Sequence, residues 1–450
     1  MPRPPFKPDA KPARKRPASA GPTASVETSL KKITPARMAA FEILTLVGQN
    51  KGHSDELLHS HRVDALSPED RNLATTLVMG VLRWQIALDA RIRTLLQRPE
   101  QRLAEPVAIA LRLGAFQLLH LDRIPAHAAL SESVELCRAA GEPHATGMVN
   151  AILRKVAAAQ KPGTRIHESV AAFAERLAHP RWLVERWANT YGRDAALKIC
   201  EADQQEPTEG TMFRENGTDL AQDLPNMDDG SRLVAELTVA ANPGAQKIWD
   251  CCAAPGGKTL ILSRRLPDAR IFATDVSTRR LAHLEARLSR YTYTANVQCV
   301  VADAANGTSA AAAIYDELFD LILCDVPCTS TGTLARNPEI RLRLKPEELT
   351  RQAERQCAIL TGALKRLAPG GRLVYSTCSL EPEECEHVVE AVTADTNLRL
   401  IPIDPLMVNL SKSVLNPSID LSSTLREGTL RTLPGVHPCD GFYATVIERP

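Results

Sequence analysis

Residues 247–259, KIWDCCAAPGGKT, decide the fold. A short apolar run ends at Asp250, two glycines follow at Gly256 and Gly257, and Lys258-Thr259 opens what reads as a helix. Strand, tight turn and helix in that order begin a parallel α/β unit. Gly257-Lys258-Thr259 also matches the end of a phosphate-cradling P-loop. That loop needs a glycine five residues before Gly257, and Cys252 stands there, so the NTPase reading fails.

Downstream the pattern repeats. RIFATD (270–275), VQCVVAD (297–303), FDLILCD (319–325), GRLVYSTC (371–378) and GFYATVIER (441–449) are short apolar runs separated by helical segments. This alternation predicts a doubly wound, mostly parallel sheet, which binds ligands outside the carboxyl ends of its strands. The residues at those ends are Asp250, Cys251, Cys252, Asp275, Asp303, Asp325 and Cys378. Asp275 lies 18 residues beyond Gly257, where a carboxylate can accept hydrogen bonds from ribose hydroxyls. Asp303 closes the third strand, where it or its neighbours meet an adenine edge. Acidic strand ends in series after a glycine turn point to a nucleoside-containing cofactor.

Two later strand ends carry sulfur, at Asp325-Val326-Pro327-Cys328 and at Ser376-Thr377-Cys378-Ser379. A lone cysteine is more often a small buried apolar residue. Two at the ligand end of one sheet, one of them three residues from a carboxylate, point to thiol chemistry. No CxxC pair is present and Cys324/Cys328 has no second pair, so zinc is not expected. The histidines of HSDELLHSH (53–61) likewise read as surface residues rather than metal ligands.

Upstream, from Ile33 to about Gln160, apolar residues recur every three or four positions in RMAAFEILTLV, NLATTLVMGVLRWQIALDARIRTLL and VAIALRLGAFQLL. Thr34-Pro35 and Ser67-Pro68 signal helix starts. This predicts an all-α domain over 33–160, with 161–230 a partly helical connector and 231–450 the α/β domain. Residues 1–32 hold eight basic and two acidic side chains and seven prolines, a net +6 that reads as a disordered basic tail. The whole chain of 450 residues carries only +1, so the remainder stands at −5. With 44% apolar and 24% charged residues and no run of 18 apolar positions, it is not expected to span a membrane. Eleven cysteines, an odd number diluted through a long chain, fit a reducing, cytoplasmic setting better than a disulfide framework.

DCCAAPGGKT (250–259), DVPCTSTGTLARNPEIR (325–341) and YSTCSLEPEECE (375–386) closely resemble the motifs of RNA cytosine-C5 methyltransferases that use S-adenosylmethionine. IPAHAALSESVELCR (124–138) and MVNAILRKV (148–156) resemble the NusB-like domain ahead of the catalytic domain in the bacterial RsmB (Sun/Fmu) family. DGFYATVIER is similar to that family's last strand. The resemblance implies a multidomain protein, an all-α NusB-like RNA-binding domain followed by a Rossmann-like methyltransferase domain. It implies 5-methylcytosine formation in ribosomal RNA, of the small subunit by expectation, through a covalent adduct between a cysteine and cytosine C6. Cys378 is then the nucleophile and Cys328 helps proton removal and release. Asp325 hydrogen-bonds the cytosine N3 and amine, and Lys258 contacts the base or lowers a thiol pKa. Cys252, Ala253, Ala254, Pro255, Gly256, Gly257, Lys258, Asp275, Asp303 and Asp325 are implied to line the cofactor pocket. Arg336, Arg341 and Arg343 are candidate phosphate contacts, and a monomer without an obligate protein partner is expected.

The chain departs from the pattern in three places. Ser330 stands where the family has glycine, Cys385 where asparagine is usual, and the segment between Met212 and Asp228 is shorter than the small RNA-binding segment expected there. Two other readings compete: a cytosine-C5 methyltransferase acting on tRNA, and a non-catalytic NusB-like assembly protein. Retention of Cys378, Cys328, Asp325 and the glycine turn argues against the second, because a binding module needs none of them.

Overall fold

The computed structural model describes residues 33–159, 168–207, 210, 212–213, 224–306, 314, 316–416 and 418–450. The basic tail and most of the shortened 212–228 segment lie outside the described residues. The chain divides into two compact units. One holds the described residues up to Val81 and from Arg91 to 159; the other holds Leu82–Ala90 and everything from 168 onward.

The first unit is helical: α1 (Pro35–Gly48), α2 (Pro68–Leu95, which continues into the Leu82–Ala90 stretch), α3 (Glu105–His120), α4 (Ala126–Ala139) and α5 (Thr146–Ala158). Ser67 caps α2 by accepting from the Asp70 amide at 3.1 Å, with Pro68 in the first turn. Leu111, Leu113, Leu136, Val149 and Leu153 make its apolar interior. One buried polar set crosses that interior. Arg37 donates to Gln117 at 2.7 Å and pairs with Glu132 at 2.9 Å, tying α1 to α3 and α4.

In the second unit, α6 (Val170–Arg176), α7 (Arg181–Tyr191), α8 (Arg193–Ala202) and α9 (Asp229–Ala241) precede the sheet. Phe173, Leu183, Trp187 and Ile199 pack with Leu334, Leu380 and Leu433 into one buried cluster. Residues 170–202 are therefore part of this unit's core, not the connector the sequence suggested. Apolar spacing alone could not say what their buried face meets.

Among the described residues nine strands form one sheet: β1 (Lys247–Asp250), β2 (Arg270–Asp275), β3 (Val297–Val301), β4 (Phe319–Asp325), β5 (Leu367–Thr377), β6 (Arg399–Ile401), β7 (Leu425–Arg426), β8 (Thr429–Arg431) and β9 (Tyr443–Glu448). The order is β3-β2-β1-β4-β5-β9-β8-β7, with β6 also on β9; β1 to β5 run parallel and β9 antiparallel to β5. All six strands expected from the sequence are present, and the three added ones are only two or three residues long. The connecting helices are α10 (Gly257–Arg265), α11 (Thr278–Leu288), α12 (Pro346–Leu364), α13 (Glu386–Thr393) and α14 (Asp404–Ser413).

The central strands are apolar throughout because both faces are covered. Ile248, Ile271, Leu321, Leu323 and Val374 point into one core, while Trp249, Phe272, Ile322, Leu373 and Tyr375 point into the other. The period of two along each strand thus fills two layers at once. Chain order reverses between β1 and β4, and the crevice at that switch point is where a ligand is expected.

Candidate active site

β4 and β5 are hydrogen-bonded neighbours in a register that sets Asp325 beside Ser376. Both strands end there, so the two turns leaving them carry Cys328 and Cys378 into the same place. Their Sγ atoms lie 3.3 Å apart, and both cysteines are free thiols. Asp325 is held from two sides: Ser376 Oγ donates to its Oδ1 at 2.7 Å, and Lys258 Nζ to its Oδ2 at 2.7 Å. Lys258 reaches it from the first turn of α10, with its ammonium 5.4 Å from the Phe442 ring centre.

Burial pushes the Lys258 ammonium towards neutrality, but the Asp325 carboxylate outweighs it and the net direction is upward. Hydrogen bonding from Cys378 lowers Cys328, and the same contact, with burial, holds the proton on Cys378. One thiol of the pair is therefore lowered and the other raised relative to an ordinary cysteine. Asp250, buried at the end of β1, is pushed up to about 7, mainly by burial and against the 2.7 Å bond it accepts from Thr259 Oγ1.

A cavity of about 590 Å³ opens beside this pair. Cys252, Ala254, Pro255, Asp275, Asp303, Asp325, Cys328 and Cys378 line it. Its size lies within the range of about 300–1,000 Å³ usual for small-molecule sites. Carboxylates at the ends of β2 and β4 and just after β3 give it the acceptors that ribose hydroxyls and an adenine amine need, so the donor set fits S-adenosylmethionine. Asp275 Oδ1 accepts from the Ser277 amide at 2.8 Å and from Arg280 at 2.9 Å. Asp303 accepts from the Ala305 amide and Asn306 in a tight local turn.

Ala253, Gly256, Gly257 and Lys258 are not among the lining residues. Ala253 is buried in an apolar cluster with Leu260 and Leu284. Gly256 has φ +95°, a backbone conformation that a side-chain-bearing residue adopts only under strain, and a Cβ there would also meet Leu284 Cδ1 at 2.2 Å, so the turn itself calls for glycine. The phosphate-contact expectation for Arg341 is overturned. Its side chain is 2% exposed and donates to the carbonyls of Ala178, Asp203 and Leu334. Arg336 is spent largely on Asp440 at 2.7 Å and Asp228 at 3.3 Å, and Arg343 is half-buried. A charged run in sequence does not reveal which members turn inward.

Several side chains of the site carry no motif signal of their own. Arg280 and Arg355 line the cavity as exposed cations. Buried Glu384 accepts from the Thr329 amide at 2.9 Å, from the Thr329 hydroxyl, from Ser379 Oγ at 2.9 Å and from Gln356 Nε2 at 2.9 Å. Thr329 follows Cys328 and Ser379 follows Cys378, so one carboxylate ties the two sulfur-bearing turns together. Ser330 Oγ lies 3.4 Å from Cys378 Sγ and 3.7 Å from Cys328 Sγ. Among the described residues no group of histidine, cysteine and carboxylate side chains is arranged for a metal, and no helix is long and apolar enough to cross a membrane.

The switch-point cavity, its acidic strand ends and the antiparallel β9 define a Rossmann-like methyltransferase that uses S-adenosylmethionine. Residues 237–448 match the family model of the 16S rRNA methyltransferase RsmB/F, and residues 34–158 that of the NusB family. The chain is 30% identical to the probable ribosomal RNA small subunit methyltransferase B of Bacillus subtilis, over 93% of this chain and 99% of that one. It is 31% identical to ribosomal RNA small subunit methyltransferase B of Erwinia tasmaniensis, over 79% and 89% respectively. The crystal structure of PH0851 shares the fold, with a TM-score of 0.66 at 21% identity over 92% of this chain and 99% of that one. This chain belongs to the RsmB/F family of RNA methyltransferases, with a NusB-family domain ahead of the catalytic one.

Proposed function

We propose that this protein forms 5-methylcytosine in small-subunit ribosomal RNA, with Cys378 as nucleophile. The observation that carries the reading is the pair of thiols 3.3 Å apart on the wall of the cofactor cavity. Cytosine C5 is a poor nucleophile within an aromatic ring. A base extruded from its stack presents C6 to Cys378, whose proton passes to the adjacent Cys328 sulfur as the Cys378 thiolate attacks, and the new C6–sulfur bond makes C5 enamine-like. Asp325, held by Lys258 and Ser376, hydrogen-bonds the N3 and amine edge and favours the protonated adduct. S-adenosylmethionine, which Cys252, Asp275 and Asp303 would hold, would supply its sulfonium-bound methyl group to C5 and leave as the neutral thioether. Cys328, having released its first proton to solvent, then takes the C5 proton, the C5–C6 double bond reforms, N3 gives up its proton, and the C6–sulfur bond breaks to return the Cys378 thiolate. Exposed Arg355 is placed to meet an RNA phosphate, and the NusB-like domain serves as an RNA-binding module.

The expected outcomes for the two cysteines are opposite. Cys378→Ala abolishes methylation and covalent RNA capture, whereas Cys328→Ala still attacks and accumulates a protein–RNA adduct on a denaturing gel. Adduct accumulation in Cys378→Ala would exchange the two roles, and undiminished turnover would remove the nucleophile. Bisulfite mapping of RNA from cells lacking the protein tests the substrate: loss of a ribosomal signal supports the reading, and loss confined to tRNA opposes it.

A further inference from the structure

Ser330 adopts φ +57° and ψ 32°, a left-handed conformation that costs a side-chain-bearing residue on the order of 1 kcal/mol or more. The family pattern has glycine here, which takes the same backbone without strain. What this chain gains is a hydroxyl. Its Oγ lies 3.4 Å from Cys378 Sγ, where the thiol donates to it, and 3.7 Å from Cys328 Sγ, where either atom can donate. Ser330 also lines the cavity. Three polarizable atoms therefore form a triangle, and its oxygen both accepts and donates.

We propose that Ser330 is a catalytic residue whose hydroxyl accepts from the protonated thiol of the pair and donates to the ionised one, stabilising the thiolate. The inference rests on the thiolate-attack reading above. The charged groups facing the sulfurs are the Lys258 ammonium from α10, the Asp325 carboxylate at the end of β4 and the Glu384 carboxylate after β5. Two of those three disfavour a thiolate. A neutral donor between the sulfurs offsets them without adding a charge that would bind Asp325 or repel Lys258. The first proton of the pair leaves to solvent, and Ser330 keeps its own.

Two variants separate the hydroxyl from the backbone. Ser330→Gly removes both hydroxyl and strain; Ser330→Ala removes the hydroxyl and keeps the strain. In the full-length protein without RNA or cofactor, iodoacetamide labelling of Cys328 and Cys378 is followed against pH by peptide mass spectrometry. Both variants are expected to raise the midpoint of labelling by about one pH unit, a loss of about tenfold in rate well below the midpoint. Ser330→Gly is also expected to melt no lower than the wild type. An unmoved midpoint in both variants overturns the proposal, and lowered melting in both with an unmoved midpoint does so in favour of a purely structural role. The pH profile of RNA methylation should move with the labelling midpoint. A midpoint that rises while the methylation profile stays put supports the Ser330 contact and defeats thiolate attack instead.

Discussion

Asp250 illustrates how a single residue couples the site to stability. Its carboxyl is fully packed between β1 and α10, and burial raises it from 3.8 to about 7 despite the Thr259 hydrogen bond. A carboxyl raised on folding favours the folded state while it is protonated. That contribution is complete below 3.8 and is lost as pH rises through about 7. Asp250→Asn cannot ionise, so its melting temperature should fall less steeply than the wild type's between those values. Calorimetric scans across pH 4 to about 7 read the difference, and parallel curves would mean that Asp250 stays ionised when folded. The residues legible from sequence were those whose type announces chemistry at a strand end: Cys328, Cys378, Asp325 and Asp275. Ser330 and Glu384 were not legible as parts of the site, because their role lies in partners roughly 50 residues away in the chain. Arg341 misled for the same reason, since nothing in LARNPEIRLRLK marks which arginine is buried.

At the scale of elements, the site depends on three chain segments meeting at the end of the sheet. The Gly332 amide donates to the Cys378 carbonyl at 2.9 Å, and the Gly441 amide donates to the Gly332 carbonyl at 2.8 Å. A Cβ on Gly332 would meet the Gly441 oxygen at 2.3 Å and the Cys378 oxygen at 2.8 Å, both of them backbone. Backbone cannot swing aside as a side chain can. Gly332→Ala should therefore destabilise the protein by about 1–3 kcal/mol and spread the turns after β4 and β5. Denaturant melts and methylation rates test this, and a variant with wild-type stability and activity would show that the turns have slack. The six principal strands were readable because a doubly covered parallel sheet gives continuous apolar runs with acidic or sulfur ends. β6 to β8 were not readable. A strand of two or three residues holds too little periodicity; β6 and β8 form against β9, and β7 against β8.

At the scale of the whole molecule, the distribution of charge matters more than its sum. A protein acting on a polyanion carries a net charge of only +1 over 450 residues, because a +6 stretch at 1–32 offsets −5 elsewhere. Arg336 and Arg341, counted as basic in the sequence, are engaged by carboxylates and by carbonyls respectively, which leaves the catalytic unit fewer cations for phosphate than its composition suggests. The first 32 residues are then a natural source of long-range attraction. Each phosphate neutralised by a basic side chain releases counterions and steepens the salt dependence of binding by about 0.7–0.9 in log–log slope. Deleting residues 1–32 should weaken binding to small-subunit RNA at low salt and make that slope shallower by about 2 or more, while kcat at saturating RNA stays unchanged. Filter binding across a salt series, with single-turnover methylation alongside, measures both quantities. An unchanged slope would assign those eight basic residues to solubility and leave the RNA attraction to cations of the folded units, Arg355 among them.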